Sequence, residues 1–354
     1  MSIDYGSVKS CSTLDPDAII KIIKPCKILI NDAHSKSIFN SNLQPSIEAI
    51  DIVASITPCA TKSQEKTSTF RPRGLKNPSN HCYINSILQS VSRILIDYNE
   101  ELKFNNNIEG NLIKKLFKCI NSQYLTPLDD FKKDLSNYNA FFGGRRQEDA
   151  YECLLLLIDV LHIGTKTCIL DVDDLNLEDD LFASVSKDLF LCTTKITFKC
   201  INCEFTSNNF SQIQTFLINP KPNKSIFELL MNNFKNSVTK LCSLCNTDTI
   251  HEENIIIDQP PKILVILVNR FDSSSSGQKN KTALSIDRTT DCFGFRYELM
   301  AYIDHHGNTT TSGHYTAILA FSDRIFLCND NVIEDIEFRK TSNAVYILFY
   351  KLTK

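Results

Sequence analysis

No run of uncharged apolar residues in this 354-residue sequence approaches the roughly 20 residues a membrane-spanning helix needs; the longest, such as Ile263 to Val268 and Cys153 to Ile158, are short. Residues 1 to 30 also lack the uninterrupted apolar segment of a secretion signal. An excess of charge is missing as well. With 38 basic and 41 acidic residues the net charge is −3, which gives no global field to attract nucleic acid or a membrane surface. Neither partner is expected. No internal repeat is present, which sets repeat architectures aside. These absences point to a soluble protein of the cytoplasm, the nucleus or both, in a reducing compartment. There the 14 cysteines fit metal binding or catalysis better than a disulfide framework.

The length fits one large domain carrying an appendage. Residues 1–70 mix isoleucine with Ser, Thr, Lys and Asn, show no sustained period, and end in the polar run TKSQEKTST. They read as a weakly ordered N-terminal extension in which Ile19 to Ile30, IIKIIKPCKILI, is interrupted by Pro25.

The stretch Gly74 to Val91, GLKNPSNHCYINSILQSV, is where the rest of the chain finds its purpose. Ile84, Ile87, Leu88, Val91 and Leu95 follow the spacing that lays one side of a helix on a core. Pro78 pushes Asn77 towards an extended conformation, and Ser79 and Asn80 are residue types that cap a helix start. Cys82 is thus placed at or just inside a helix N-terminus, where the free N–H groups and the dipole favour a thiolate. A buried structural cysteine is the plainer alternative, and the pattern alone leaves both open.

Further on, LIKKLFKCI (112–120) and LDDFKKDL (128–135) read as surface helices, followed by GGRRQEDAYECLLLLIDVLH, whose Ala150, Cys153, Leu154, Leu157, Ile158 and Leu161 are again helically spaced. Asp149 and Glu152 share one face near the start of that helix, ready for a cation or simply solvated. After an acidic loop, Asp171 to Asp180, KITFKCINC and QIQTFLINP read as strands, and SIFELLMNNF as a short helix. Cys200 and Cys203, then Cys242 and Cys245, form two CxxC pairs that can complete the tetrahedral thiolate set of a structural zinc, although the long gap leaves four unrelated cysteines open. KILVILVNRF reads as a buried strand, SSSSGQKNK as a flexible loop, and the remainder as an all-β C-terminal half.

A cysteine nucleophile needs a histidine to take its proton and a third group to hold the imidazole. Among seven histidines His314 stands out, with Gly313 before it, Tyr315 and TAILAF after it, and the polar CNDN turn soon following.

At this point the chain resembles a family. GLKNPSNHCYINSILQSV resembles the cysteine box of the ubiquitin-specific proteases, RRQEDAYECLLLLIDVLH their glutamine-aspartate helix and SGHYTAIL their histidine box, with the paired CxxC motifs, PPKILVILVNRF and NAVYILFYKL in the same order. The resemblance covers residues 71–354. It implies an α+β, papain-like cysteine protease fold: a helical thumb, a β-rich palm, and zinc-pinned β fingers over about 185–260. It implies Cys82 as nucleophile, His314 as general base, Asn329 as third triad member and Asn77 as donor to the oxyanion; because Asn329 orients the ring without adding charge, the adjacent Asp330 is expected to share its role. Gln147, Asp149, Glu152, Gly313 and Tyr315 would contact substrate, the two carboxylates pairing with arginines of the ubiquitin tail. The implied activity is thiol-dependent hydrolysis after the C-terminal glycine of ubiquitin, by a monomer acting on ubiquitin and ubiquitinated proteins, with structural zinc as cofactor. The departures are Ser79, His81 and Asn269 where the family usually has Gly, Thr and Lys. They keep open a second reading, a catalytically weak ubiquitin-binding scaffold.

Overall fold

The cysteine-box segment folds as expected, but its helix is buried on every side. In the computed structural model, which describes residues 71–98, 102–121, 126–143, 146–168, 182–271, 279–309 and 312–353, helix α1 spans Cys82–Leu95 and all its residues are buried. The apolar stripe accounts for one face. The opposite face is tolerable because several of its polar groups are satisfied: Ser86 and Ser90 hydroxyls donate to Tyr83 and Ser86 carbonyls at 2.9 Å, and Gln89 donates to the Arg73 carbonyl at 2.6 Å. Arg93 donates to the Ala320 carbonyl and lies 4.4 Å over the Phe321 ring.

Helices α2 (Ile108–Asn121), α3 (Thr126–Tyr138) and α4 (Ala150–Thr165) complete the lobe around α1. A small ladder of β1 (Thr167–Cys168) with β2 (Phe182–Ala183), then α5 (Val185–Phe190), lead out of it. Next come β3 (Cys192–Cys200) and β4 (Thr206–Ile213), β5 (Phe216–Ile218), α6 (Ile226–Met231), β6 (Lys235–Leu241) and β7 (Asp248–Gln259). The sequence SIFE announces α6, for Ser225 and Glu228 close a reciprocal capping box there. The last third is β: β8 (Ile263–Val268), β9 (Leu284–Ser285), β10 (Thr289–Cys292), β11 (Phe295–Thr309), β12 (Ser312–Ala320), β13 (Ile325–Asn329), β14 (Val332–Ile336), β15 (Thr341–Ser342) and β16 (Val345–Leu352).

The large sheet runs β14-β13-β12-β11-β16-β8-β5, antiparallel except for β5 beside β8, with β10 paired to β11. Strand β8 shows why its sequence is uniformly apolar. Ile263, Val265 and Leu267 join the core shared with the helical lobe, and Leu264, Ile266 and Val268 join a second core under α6. A strand buried on both faces has no polar alternation to display. A separate four-stranded sheet, β4-β3-β7-β6, forms the finger region.

One expectation is corrected. QIQTFLINP is not one strand, because Ile213 ends β4 in the finger sheet while Phe216–Ile218 is β5 in the large sheet. The finger strands come from 192–213 and 235–259, and the segment between them returns to the large sheet. The Ile19 to Ile30 segment, the rest of the N-terminal extension, the acidic loop and most of SSSSGQKNK lie outside the described residues. No helix among the described residues is long and apolar enough to cross a membrane.

Candidate active site and metal cluster

Cys82 is the first residue of α1 and is 2% exposed. Neither Ser79 nor Asn80 caps the helix. The cap position is His81, whose side chain makes no capping bond, while its backbone N–H donates to Asn77 Oδ1 at 2.8 Å. The bend before the helix takes a left-handed residue at Asn80 (φ 54°), not at Ser79. The side chain of Ser79 therefore imposes no left-handed strain, because asparagine, which tolerates that region, carries it.

His314 on β12 and Asn329, the last residue of β13, come from adjacent antiparallel strands that pack beside α1. The His314 Nε2 lies 2.7 Å from Asn329 Oδ1, and the imidazole hydrogen-bonds the Cys82 sulfur. With Nε2–H donating to the amide oxygen, Nδ1 is the nitrogen left to face sulfur. The imidazole pKa is pushed up to about 9, chiefly by its bond to Cys82, against opposing burial, and further by Asn329 and the charge of Asp330.

Asp330 does not hold the imidazole. Its carboxylate accepts from Asn77 Nδ2 through Oδ2 and from Asn85 Nδ2 through Oδ1, both at 2.8 Å. It sits at φ 49° in the turn joining β13 to β14, a conformation Asp tolerates better than most residues. The same turn seizes the loop before the cysteine. The Leu75 N–H donates to the Asp330 carbonyl at 2.8 Å, and a Cβ on Gly74 would lie 2.2 Å from the Asn331 carbonyl oxygen, so only glycine admits this approach. Asn77 is exposed beside Cys82, its amide oriented by His81 and Asp330.

Most residues expected to touch substrate are turned inward. Gln147 donates to the Gly313 carbonyl at 2.6 Å and accepts from the Gly313 N–H at 2.8 Å, a two-bond clamp between the approach to α4 and the strand of His314. A Cβ on Gly313 would meet His305 Nε2 at 2.2 Å. Tyr315 is 4% exposed and packs on His305 with ring centroids 4.5 Å apart. Asp149 is the N-cap of α4: Oδ1 accepts from the Tyr151 N–H at 2.6 Å and Oδ2 from the Tyr346 hydroxyl at 2.7 Å. That corrects the expectation of two carboxylates jointly facing a cation, since capping consumes Asp149. Glu152 alone of the pair remains half-buried and open, its pKa raised to about 7 by burial and by the neighbouring Asp149 and Glu148.

Two residues of this region were not singled out from sequence. Asn85, one turn after Cys82, and Lys132 on α3 are 2% and 5% exposed, and the Lys132 ammonium donates to Asn85 Oδ1 at 3.1 Å. An asparagine inside an apolar helix stripe was a usable signal. Lys132, and not Lys133, falls on the helical stripe of Leu128, Phe131 and Leu135, which was also a usable signal.

The four CxxC cysteines meet at the finger tip, their sulfurs within 4.8 Å of one another. Cys200 to Cys245 is 3.9 Å and Cys203 to Cys242 is 3.6 Å. Four sulfurs at about 2.3 Å from one tetrahedral ion would stand about 3.8 Å apart. The two turns share a backbone design. Glu204 and Asn246 each donate back to the first cysteine's carbonyl, at 3.0 and 2.8 Å, and each is left-handed. Thr249 Oγ1, 3.3 Å from Cys200, and the Cys245 N–H, directed at the Cys242 sulfur, favour thiolates. The cluster can hold a metal ion.

A cysteine at a helix start, facing an imidazole held by an asparagine across a β-sheet, is the arrangement of thiol hydrolases. Comparison with known proteins gives it a family. Residues 73–350 match the family model described as ubiquitin carboxyl-terminal hydrolase, and the chain belongs to that family. It is similar to ubiquitin carboxyl-terminal hydrolase Usp2 of Drosophila melanogaster, at 26% identity over 79% of this chain and 35% of that one. Ubiquitin carboxyl-terminal hydrolase 25 of Arabidopsis thaliana is 26% identical over 81% of this chain and 48% of its own length. Human ubiquitin carboxyl-terminal hydrolase 21 is 26% identical over 79% and 61%. The chain thus spans less than two thirds of these relatives. Among solved structures, the SAGA DUB module of Ubp8, Sgf11, Sus1 and Sgf73 bound to monoubiquitin superposes with a TM-score of 0.65 at 20% identity, covering 85% of this chain and 73% of that one. At that identity the likeness establishes the fold, a right hand of helical thumb, β palm and β fingers.

Proposed function

We propose that the protein is a thiol-dependent hydrolase of the bond after the C-terminal glycine of ubiquitin, peptide or isopeptide. The observation that carries this reading is the Cys82–His314–Asn329 row, an imidazole bound to the thiol on one side and to an amide oxygen on the other. In it, the Cys82 thiolate attacks the carbonyl carbon of the terminal glycine, and the second N–H of Asn77 Nδ2 donates to the oxygen as it gains charge. The His314 imidazolium gives its proton to the departing amine. A thioester remains, and water attacks it with His314 taking the proton, which returns the thiol. Asn329 fixes the ring without adding charge. Glu152 is the carboxylate placed to meet an arginine of the ubiquitin tail, while Gln147, Gly313, Tyr315 and Asp149 shape the walls that hold that tail.

Zinc is the metal we assign to Cys200, Cys203, Cys242 and Cys245, on the sulfur spacing and the closed all-thiolate donor set. With no open position it supports the finger sheet and takes no part in the reaction. Residues 71–354 form the catalytic unit in this reading, acting as a monomer on ubiquitin and ubiquitinated proteins in the cytoplasm, the nucleus or both.

The test is incubation with ubiquitin bearing a thiol-reactive group at its C-terminus. A stable adduct mapped by mass spectrometry to Cys82, absent in Cys82→Ala, is expected. Binding of ubiquitin without any adduct would leave the weak-scaffold reading instead.

A further inference from the structure

We infer that Lys132, on a helix that carries none of the reacting groups, is a positioning residue for the oxyanion donor Asn77, acting through Asn85 and Asp330. This rests on the proposed hydrolase reading and extends it into the interior of the helical lobe.

The connection is continuous. Lys132 Nζ donates to the Lys76 carbonyl at 2.6 Å and to Asn85 Oδ1 at 3.1 Å. Asn85 Nδ2 donates to Asp330 Oδ1 at 2.8 Å, Asp330 Oδ2 accepts from Asn77 Nδ2 at 2.8 Å, and Asn77 Oδ1 accepts from the His81 N–H at 2.8 Å. The links converge on the carboxylate: Lys132 to Asn85 to Asp330 from the interior, and Asn77 to Asp330 from the surface, so both asparagine amides are polarised towards the same acceptor. The chain also runs from buried to exposed. Lys132 and Asn85 are 5% and 2% exposed, whereas Asn77 stands at the surface.

That gradient is the physical point. An exposed asparagine loses its orientation to water and to rotamer freedom unless something rigid fixes both its side chain and the backbone before it. Lys132 does both: it grips the carbonyl of residue 76, immediately before Asn77, and it sets the amide of Asn85, which sets Asp330. A buried ammonium is costly unless fully engaged, so lysine here makes sense as an anchor for oxygen acceptors rather than as packing. Removing it leaves Asn85 Oδ1 in want of a donor, leaves the Lys76 carbonyl with only the longer 3.3 Å bond from Asn85 Nδ2, and lets the Asp330 carboxylate relax. Cys82 and His314 have no bond to any member of the chain except through Asp330's field. The loss should therefore fall on stabilisation of the oxyanion, with a smaller effect reaching the His314 imidazole through the Asp330 charge.

A double-mutant cycle on a ubiquitin C-terminal amide reads this out. Lys132→Met should lower kcat by roughly tenfold with KM little changed, while in an Asn77→Ala background the same substitution costs less than about twofold. Iodoacetamide labelling of Cys82 should proceed at the wild-type rate. Hydrogen exchange over residues 74–82 should quicken in Lys132→Met and not in Lys133→Met, an exposed neighbour. Should Lys132→Met fail to fold, Asn85→Ala cuts the same link and must show the same dependence on Asn77. Equal losses with and without Asn77, or unchanged exchange at 74–82, overturn the inference. A wild-type protein inert towards the amide fails the hydrolase reading instead, and the exchange measurement still decides whether Lys132 holds the loop.

Discussion

The ionisation of His314 is where single residues decide the chemistry. Its pKa of about 9 is set first by the Cys82 sulfur and then by Asn329, against burial that works the other way. Departure of an amine requires imidazolium, so kcat/KM should fall as pH rises through about 9. Asn329→Ala removes a contribution that raises the pKa, and the alkaline limb should move to lower pH; a pH profile of both proteins, with the limb unmoved in the variant, would disprove this origin of the shift. Stability follows the same sign. The folded pKa lies above the ordinary histidine value of about 6.5, so the ring's contribution is complete below that value and disappears as pH rises through about 9. Asp330 illustrates how near a sequence reading can come and still misplace a role. It was grouped with the imidazole by adjacency to Asn329, yet a left-handed φ turns its side chain away to the amides of Asn77 and Asn85.

At the scale of elements, what could be read from sequence was what periodicity and local chemistry control. The α1 stripe, the α4 stripe, the SIFE cap and the unbroken β8 run each follow from side-chain spacing, and each element lies where that spacing puts it. What could not be read depends on partners distant in sequence. The polar strand β4, TSNNFSQI, offers no alternating apolar face because none of its residues is buried, Phe210 being 71% exposed. The split of QIQTFLINP between two sheets and the clamp of Gln147 on Gly313 are likewise tertiary facts. The cysteine turns are the favourable case, since spacing named the four cysteines that cluster and two matching left-handed turns present them. One zinc per chain is expected by metal analysis. Its binding is folding free energy for the finger sheet, so chelation should lose protection from hydrogen exchange across 192–213 and 235–259 while Cys82 still reacts with iodoacetamide. Full finger protection in metal-free protein would remove zinc from the account.

Across the whole molecule, the helical lobe and the large sheet are tied at the cleft by few groups: Gln147 with Gly313, Asp149 with Tyr346, and the 74–77 loop with the turn at 330. Spending Asp149 on that tie leaves Glu152 as the carboxylate that the proposed function pairs with an arginine of the substrate tail. Its pKa near 7 arises because burial and two neighbouring carboxylates disfavour its charge, with no cation among the causes of its shift. An arriving arginine would favour the ionised form, so binding expels the proton, and affinity rises as pH climbs through about 7. KM for a ubiquitin C-terminal amide should accordingly fall between pH 6 and 8 in the wild-type protein. Glu152→Gln should raise KM, by roughly tenfold at pH 8 for loss of a partly buried charged contact, and should flatten the pH dependence. Asp149→Asn, by contrast, should show itself as a lower melting temperature, because it weakens a helix cap and the bond to Tyr346. A KM that stays pH-dependent in Glu152→Gln, or one untouched by the substitution at pH 8, would show that this carboxylate does not meet the tail.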